Sequence, residues 1–163
     1  MPPSGHVFLG PAVGPGSRRC ADRVSAVVDA GELHRAGRAV LLQACDAAPE
    51  SVLVFLGGEP SHAFTMRERR LLQAEPDPEI WAVGAAALAA AAARTGVARR
   101  ELLYARAHVV GGHDDPRLLE LQLVEPSLGW RRLDAGARDL AEREFALAVE
   151  SACDRLGLGP LSH

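Results

Sequence analysis

Short apolar runs and helical periodicities follow one another along the chain with no low-complexity break. The run His6-Val-Phe-Leu-Gly-Pro-Ala-Val13 predicts a strand entering a Gly14-Pro15-Gly16 turn, with Ser17 placed to cap the next element. Ala21, Val24, Val27 and Val28 then recur at helical spacing, and Gly31 and Gly37 mark the far end of that helix. Residues 39–44 and 51–56 are apolar runs, and Gly57-Gly-Glu-Pro60 joins the second to 61–65, so a three-stranded antiparallel meander is expected. Residues 66–78 are charged and proline-containing, which predicts an exposed connection of the kind that serves as a lid.

From Glu79 to Thr95 strong helix formers dominate, Pro78 stands just before them, and Gly96 supplies a C-terminal stop. Residues 102–110 and 117–124 predict two strands around Gly111-Gly-His-Asp-Asp-Pro116, and 137–156 an amphipathic helix ending at Gly157. Segregated strands and helices point to one α+β domain over 1–163: an antiparallel sheet with flanking helices, organised as a 6–66 part and a 79–157 part.

Composition narrows the function classes. A formal charge of −3 with both signs scattered gives no basic stripe for nucleic acid or an anionic membrane. No stretch is long and apolar enough to span a bilayer, and residues 1–10 do not resemble an export signal, so a cytoplasmic protein is expected. Cys20, Cys45 and Cys153 lie far apart without zinc spacing. All 18 basic residues are arginine, and the sequence has neither lysine nor asparagine. A GC-rich coding bias explains much of this, but lysine chemistry is ruled out in any case.

Three stretches, in order, resemble the second half of the ATP-grasp domain of bacterial carboxylate-amine ligases from natural-product pathways. Gly57-Gly-Glu-Pro-Ser-His-Ala-Phe64 is similar to that family's Gly-Glu-x-Ser-His-Ala hairpin. Leu102-Leu-Tyr-Ala-Arg106 resembles the strand after its helix, and Leu119-Glu-Leu-Gln-Leu-Val-Glu-Pro-Ser-Leu128 the strand that carries its metal-binding acids. The resemblance implies a truncated ATP-grasp fold, with the strand, helix and meander of 6–66 resembling the ATP-covering part, and 79–157 comprising a helix, the catalytic-floor hairpin and a C-terminal helix.

The departures matter equally. The family's N-terminal substrate domain has no counterpart before His6, and Phe8-Leu-Gly-Pro11 puts Gly10 where the resemblance calls for a phosphate-holding lysine. Thr65 and Met66 precede Arg67 where a basic residue tends to follow Ser-His-Ala. His108 stands for an aspartate, and Glu120 and Gln122 for paired acids. Magnesium requires several hard oxygens and a triphosphate requires fixed positive charge, so no cofactor and no metal are expected. Arg18, Arg19 and Arg106 are the arginines placed to replace part of the lost charge.

Strand alternation puts Tyr104, Arg106 and His108 on one face, and Leu118, Glu120, Gln122 and Val124 on one face of the partner strand. Matching apolar with apolar faces requires His108 opposite Glu120 and Arg106 opposite Gln122. A carboxylate beside an imidazole raises its proton affinity, and a guanidinium holds carboxylates or oxyanions. The catalytic candidates are therefore His108, Glu120, Arg106, His62 and Tyr104, with Gln122, Glu59 and Arg67 as substrate-binding candidates. Plain surface pairing explains His108 with Glu120 equally well, local hydrogen bonding explains Ser61-His62, and turn composition explains His113-Asp114-Asp115. Trp81, Trp130, Phe145, Leu147 and Val149 read as core. The expected function is an ATP-independent enzyme of small-molecule biosynthesis catalysing a cyclisation, elimination or isomerisation. The alternatives are a non-catalytic module, as a homodimer or with a complementary chain, and a ligase with residual ATP use.

Overall fold

The computed structural model describes residues 6–11, 18–45, 49–67 and 70–159, and the chain packs as two compact units, 1–48 and 49–163. In the first, β1 (His6–Pro11) lies between β2 (Arg18–Cys20) and β3 (Val40–Cys45), antiparallel to both. Helix α1 (Arg23–Arg35) begins at Asp22, whose extended backbone lets its carboxylate accept the Ser25 N–H at 2.8 Å. That hydrogen bond holds the Asp22 carboxyl below its ordinary value. The expected Gly14-Pro15-Gly16 turn and Ser17 cap lie outside the described residues, as do the side chains of Arg18 and Arg19.

The helix lies where its spacing predicts, but two features of this unit go beyond or against the expected pattern. The face of α1 packed on its sheet carries Ala26, with Ala30 and Leu33 beside it, against Val7, Leu9 and Cys20. Val24, Val27 and Val28 are exposed (74%, 64% and 54%). Both sets have helical spacing, and periodicity alone does not say which one meets a sheet. Second, residues 40–45 do not join a meander with 51–56. They pair with β1, from His6 opposite Cys45 to Pro11 opposite Val40, so an apolar strand found its partner across the helix and not across the nearest turn.

The second unit is a five-stranded antiparallel sheet in the order β6-β5-β4-β7-β8. Its strands are β4 (Glu50–Leu56), β5 (Glu59–Arg67), β6 (Arg70–Ala74), β7 (Tyr104–Val110) and β8 (Arg117–Gln122). Strand β6 replaces the expected lid: residues 70–74 pair with 63–67 and close a meander one strand later than predicted. Central β4 is buried along its whole length. Alternation sends Leu53 and Phe55 to one face, where α2 (Pro78–Thr95) delivers Ile80 and Leu88, and Phe55 meets Trp81 edge-on at 5.5 Å. Val52, Val54 and Leu56 face the other side, with Phe64, Leu133 and Ala141, beneath α3 (Ala135–Arg155).

Both helix ends have local causes. Gly96 at φ 74° ends α2 in the left-handed region, and Asp134 caps α3 by accepting the Ala137 N–H at 2.8 Å. Of the expected core residues, Leu147 is exposed, whereas Phe145 of α3 and Trp130 pack against the Val52, Val54 and Phe64 cluster.

Gly84 is where α2 comes closest to the sheet: a Cβ there would lie 2.6 Å from Leu53 Cδ1 and 3.1 Å from Phe55 Cζ. Alanine raises intrinsic helix propensity by about 1 kcal/mol, but overpacking a core costs roughly 1–3 kcal/mol. Gly84→Ala is therefore expected to lower stability, and a urea midpoint at or above wild type would contradict this packing.

Candidate functional site

The hairpin of β7 and β8 has the register required by its faces: Arg106 opposite Gln122, Ala107 opposite Leu121, His108 opposite Glu120. A bulge follows His108 and resets the pairing to Val109 opposite Leu118. Because β4 pairs with β7, the rows continue across the sheet. Phe64, Val52, His108 and Glu120 form one row, and His62, Val54, Arg106 and Gln122 the next. Both rows lie on the α3 face. Ala105, Ala107 and Val109 point the other way, into the α2 core.

His108 is set deep in this face. Burial chiefly, and then the Arg106 guanidinium, push its pKa down to about 4 against the opposing pull of Glu120, so it is a neutral imidazole near pH 7. Arg106 is also pushed down, by burial first, with Glu120 opposing and Arg132 reinforcing. Among the described residues, three buried side-chain nitrogens lack a hydrogen-bond partner: Arg106 Nε, His108 Nε2 and Trp130 Nε1. Such groups are uncommon in folded proteins and call for an explanation.

Sequence reasoning did not find Trp130 or Arg132 as site residues. They come from the segment after β8, where Glu125 sits at φ 48° and Gly129 at φ 71°. Gly129 lies so close to the Phe64 ring that a Cβ would be 2.6 Å from its Cε2. The only available signal was Gly129 itself, and nothing local said which surface its segment would meet.

The other candidates divide. Tyr104 shares the face but tilts against Phe145 at 6.4 Å within the apolar cluster. His62 is buried on the same face, one strand beyond Val54, with its ring held on both sides. Nε2–H donates to Leu128 O at 2.7 Å, and Nδ1 is 3.1 Å from Ser61 Oγ. Burial lowers its pKa, and Leu128 O and then Glu144 oppose this. Glu59 is the first residue of β5, ion-paired with Arg99 at 2.7 Å, and Arg67 is exposed at the far end of that strand. Neither joins the His108–Glu120 row. His113 meets Asp114 at 3.0 Å in an exposed turn.

The magnesium implied by the resemblance does not fit these residues. The floor offers one carboxylate, Glu120, beside an amide and a neutral imidazole. Among the described residues no three His, Cys, Asp or Glu side chains gather as a metal site. Among those residues, too, no helix is long and apolar enough to cross a membrane.

The fold is like that of the ATP-grasp ligases, with antiparallel sheets and flanking helices. The chain is similar to D-cycloserine synthetase DcsG, with a TM-score of 0.70 and 28% identity over 94% of this chain and 56% of that one. It also superposes on D-alanine--D-alanine ligase from Bacillus anthracis complexed with ATP (TM-score 0.59, 13% identity, 92% and 54% covered). A third neighbour is the ATP-grasp ligase PsnB complexed with minimal precursor, Mg and ADP (0.53, 18%, 90% and 47%). The chain thus spans about half the length of these ligases. No protein-family model and no curated protein matches the sequence.

The depressed His108 pKa has a stability consequence. As pH falls below 6.5 the unfolded chain takes up this proton before the folded one does, so a contribution present above that pH is lost on the way down to about 4. The loss amounts to about 3 kcal/mol at most. His108→Gln is expected to flatten unfolding free energy over that window, and an unchanged pH slope would show that the ring is not held neutral. In NMR titrations Arg106→Gln is expected to move the His108 midpoint upward, by removing a neighbouring cation.

Proposed function

We propose that this chain is a small-molecule biosynthetic enzyme that uses the ATP-grasp floor for proton transfer on a carboxylate-bearing substrate, without ATP. The observation that carries this reading is the set of buried nitrogens without partners, Arg106 Nε, His108 Nε2 and Trp130 Nε1, on one face of the sheet. A ligand carboxylate supplies the acceptor that the two N–H donors among them, Arg106 and Trp130, lack. The local charge favours an anion too, since Arg106 feels both Arg132 and Glu120, two guanidiniums to one carboxylate.

At rest His108 is too weak a base for efficient proton abstraction at neutral pH. An anion on Arg106 cancels one of the two influences that depress it, so binding raises its proton affinity where a base is needed. Glu120, directly opposite, then stabilises the imidazolium that forms. This order of events suits a cyclisation, elimination or isomerisation begun by removing a proton. Similarity to D-cycloserine synthetase supports a small amino-acid-derived molecule in a natural-product pathway.

His108→Gln and Glu120→Gln are each expected to lower kcat on such an intermediate roughly 100-fold or more. Wild-type turnover in both would remove this floor from the mechanism. Calorimetry with ATP is expected to give no heat of binding with or without magnesium, and a magnesium-dependent isotherm would instead favour residual ligase chemistry.

The exposed Val24, Val27 and Val28 on α1 support a second reading, a non-catalytic subunit that buries this stripe against a second copy or a complementary chain. Sedimentation as a concentration-independent monomer would exclude the second-copy form, and co-purification with no partner the other.

A further inference from the structure

We propose that Glu144, Ser61 and His62 form a proton relay that opens into a cavity beside the β4–β5 hairpin and serves small carboxylic acids. This unit is separate from the His108–Glu120 pair. It begins with an irregularity in β5: Val54 pairs with His62 and Phe55 with Pro60, which leaves Ser61 as an extra residue opposite no partner. The bulge brings the Ser61 hydroxyl to 3.1 Å from His62 Nδ1, although consecutive strand residues normally point apart. Glu144 reaches the same hydroxyl from α3, with Oε2 2.6 Å from Ser61 Oγ.

The protons can be counted atom by atom. A carbonyl oxygen only accepts, so His62 Nε2 keeps its proton against Leu128 O in every state. The ring therefore changes charge only at Nδ1, which faces Ser61. The hydroxyl has one proton and two acceptors, Glu144 Oε2 and Nδ1. Given to Glu144, it leaves Nδ1 with no donor. One further proton completes the chain in either of two forms. In the first, Glu144 is a neutral acid donating to Ser61, which donates to a neutral imidazole. In the second, an imidazolium donates to Ser61, which donates to a carboxylate. Passage from the first to the second breaks the Glu144 O–H bond as a new Ser61 O–H bond forms, and breaks the old Ser61 O–H bond as the Nδ1–H bond forms.

The groups facing His62 make this balance adjustable. Burial disfavours the imidazolium, and Leu128 O and Glu144 favour it. Phe64 presents its ring edge-on at 5.5 Å without charge, and the remaining charged group on its row, Arg106, lies beyond Val54.

The outer end of the relay is accessible. Glu144 lines a cavity of about 650 Å³ together with Glu59, Pro60, Arg100, Ser151 and Arg155. Glu59 is engaged by Arg99, while Arg155 is oriented by donating to Ser151 Oγ at 2.7 Å and by a longer ion pair, its Nε 3.9 Å from Glu101 Oε1. A small carboxylic acid fits this arrangement. Its acid form hands a proton to Glu144, and the Arg100 and Arg155 guanidiniums hold the anion that remains.

The test is the NMR titration of the His62 ring in the whole chain, with amide dispersion as the folding control. Glu144→Gln, which keeps shape, and Ser61→Ala are each expected to lower the proton affinity of His62 about tenfold. An unchanged midpoint in Glu144→Gln overturns the relay. So does an unchanged midpoint in Ser61→Ala, since that would leave only through-space attraction. In Glu144→Ala, added formate is expected to move the midpoint back toward wild type, and Arg100→Gln with Arg155→Gln to abolish this rescue. Formate without effect would overturn the connection between relay and cavity.

Discussion

The second unit depends on the burial of β4 on both of its faces. A strand with no solvent-facing side needs an apolar layer above and below, and here α2 supplies one and α3 the other. Once these layers are in place, alternation assigns the side chains of the adjacent strands to one helix or the other, except where a bulge interrupts it. The polar residues of β7 are thereby carried to the α3 face, with aliphatic side chains of β4 beside them. Burial of that face gives the site its chemistry: it keeps His108 neutral and leaves donors in need of an acceptor.

The same constraint explains what was legible in the sequence. Both faces of the β7–β8 hairpin have a clear character, so a slip of one residue would mix Ala107 with Glu120, and the pairing of His108 with Glu120 follows from pattern alone. Helix α2 was equally readable, because Pro78 and Gly96 bracket a run of helix formers. Residues 40–45 were not, since an apolar strand carries no record of which edge it will join. Nor was β6, whose five residues Arg70-Leu-Leu-Gln-Ala74 are set among charged and proline residues that suit an exposed loop as well as an edge strand.

The site was half legible for a related reason. Residues joined by strand register, such as Arg106, His108, Glu120 and Gln122, can be placed from periodicity. Residues joined by tertiary packing cannot. Ser61 and Glu144 are 83 positions apart, and Trp130 and Arg132 reach the sheet only through a backbone path set by Glu125 and Gly129. Resemblance to the Gly-Glu-x-Ser-His-Ala hairpin marked Ser61-His62, but said nothing about Glu144, which meets Ser61 only through the packing of α3.

Strand β8 is the last strand on its side of the described sheet. The row through Phe64, Val52, His108 and Glu120 consequently runs from a dry interior to a margin, and polarity rises along it in one direction. A charge created on the imidazole is screened mainly from the Glu120 end. The outermost strand is thus the place where the surroundings bear on the reactivity of the ring.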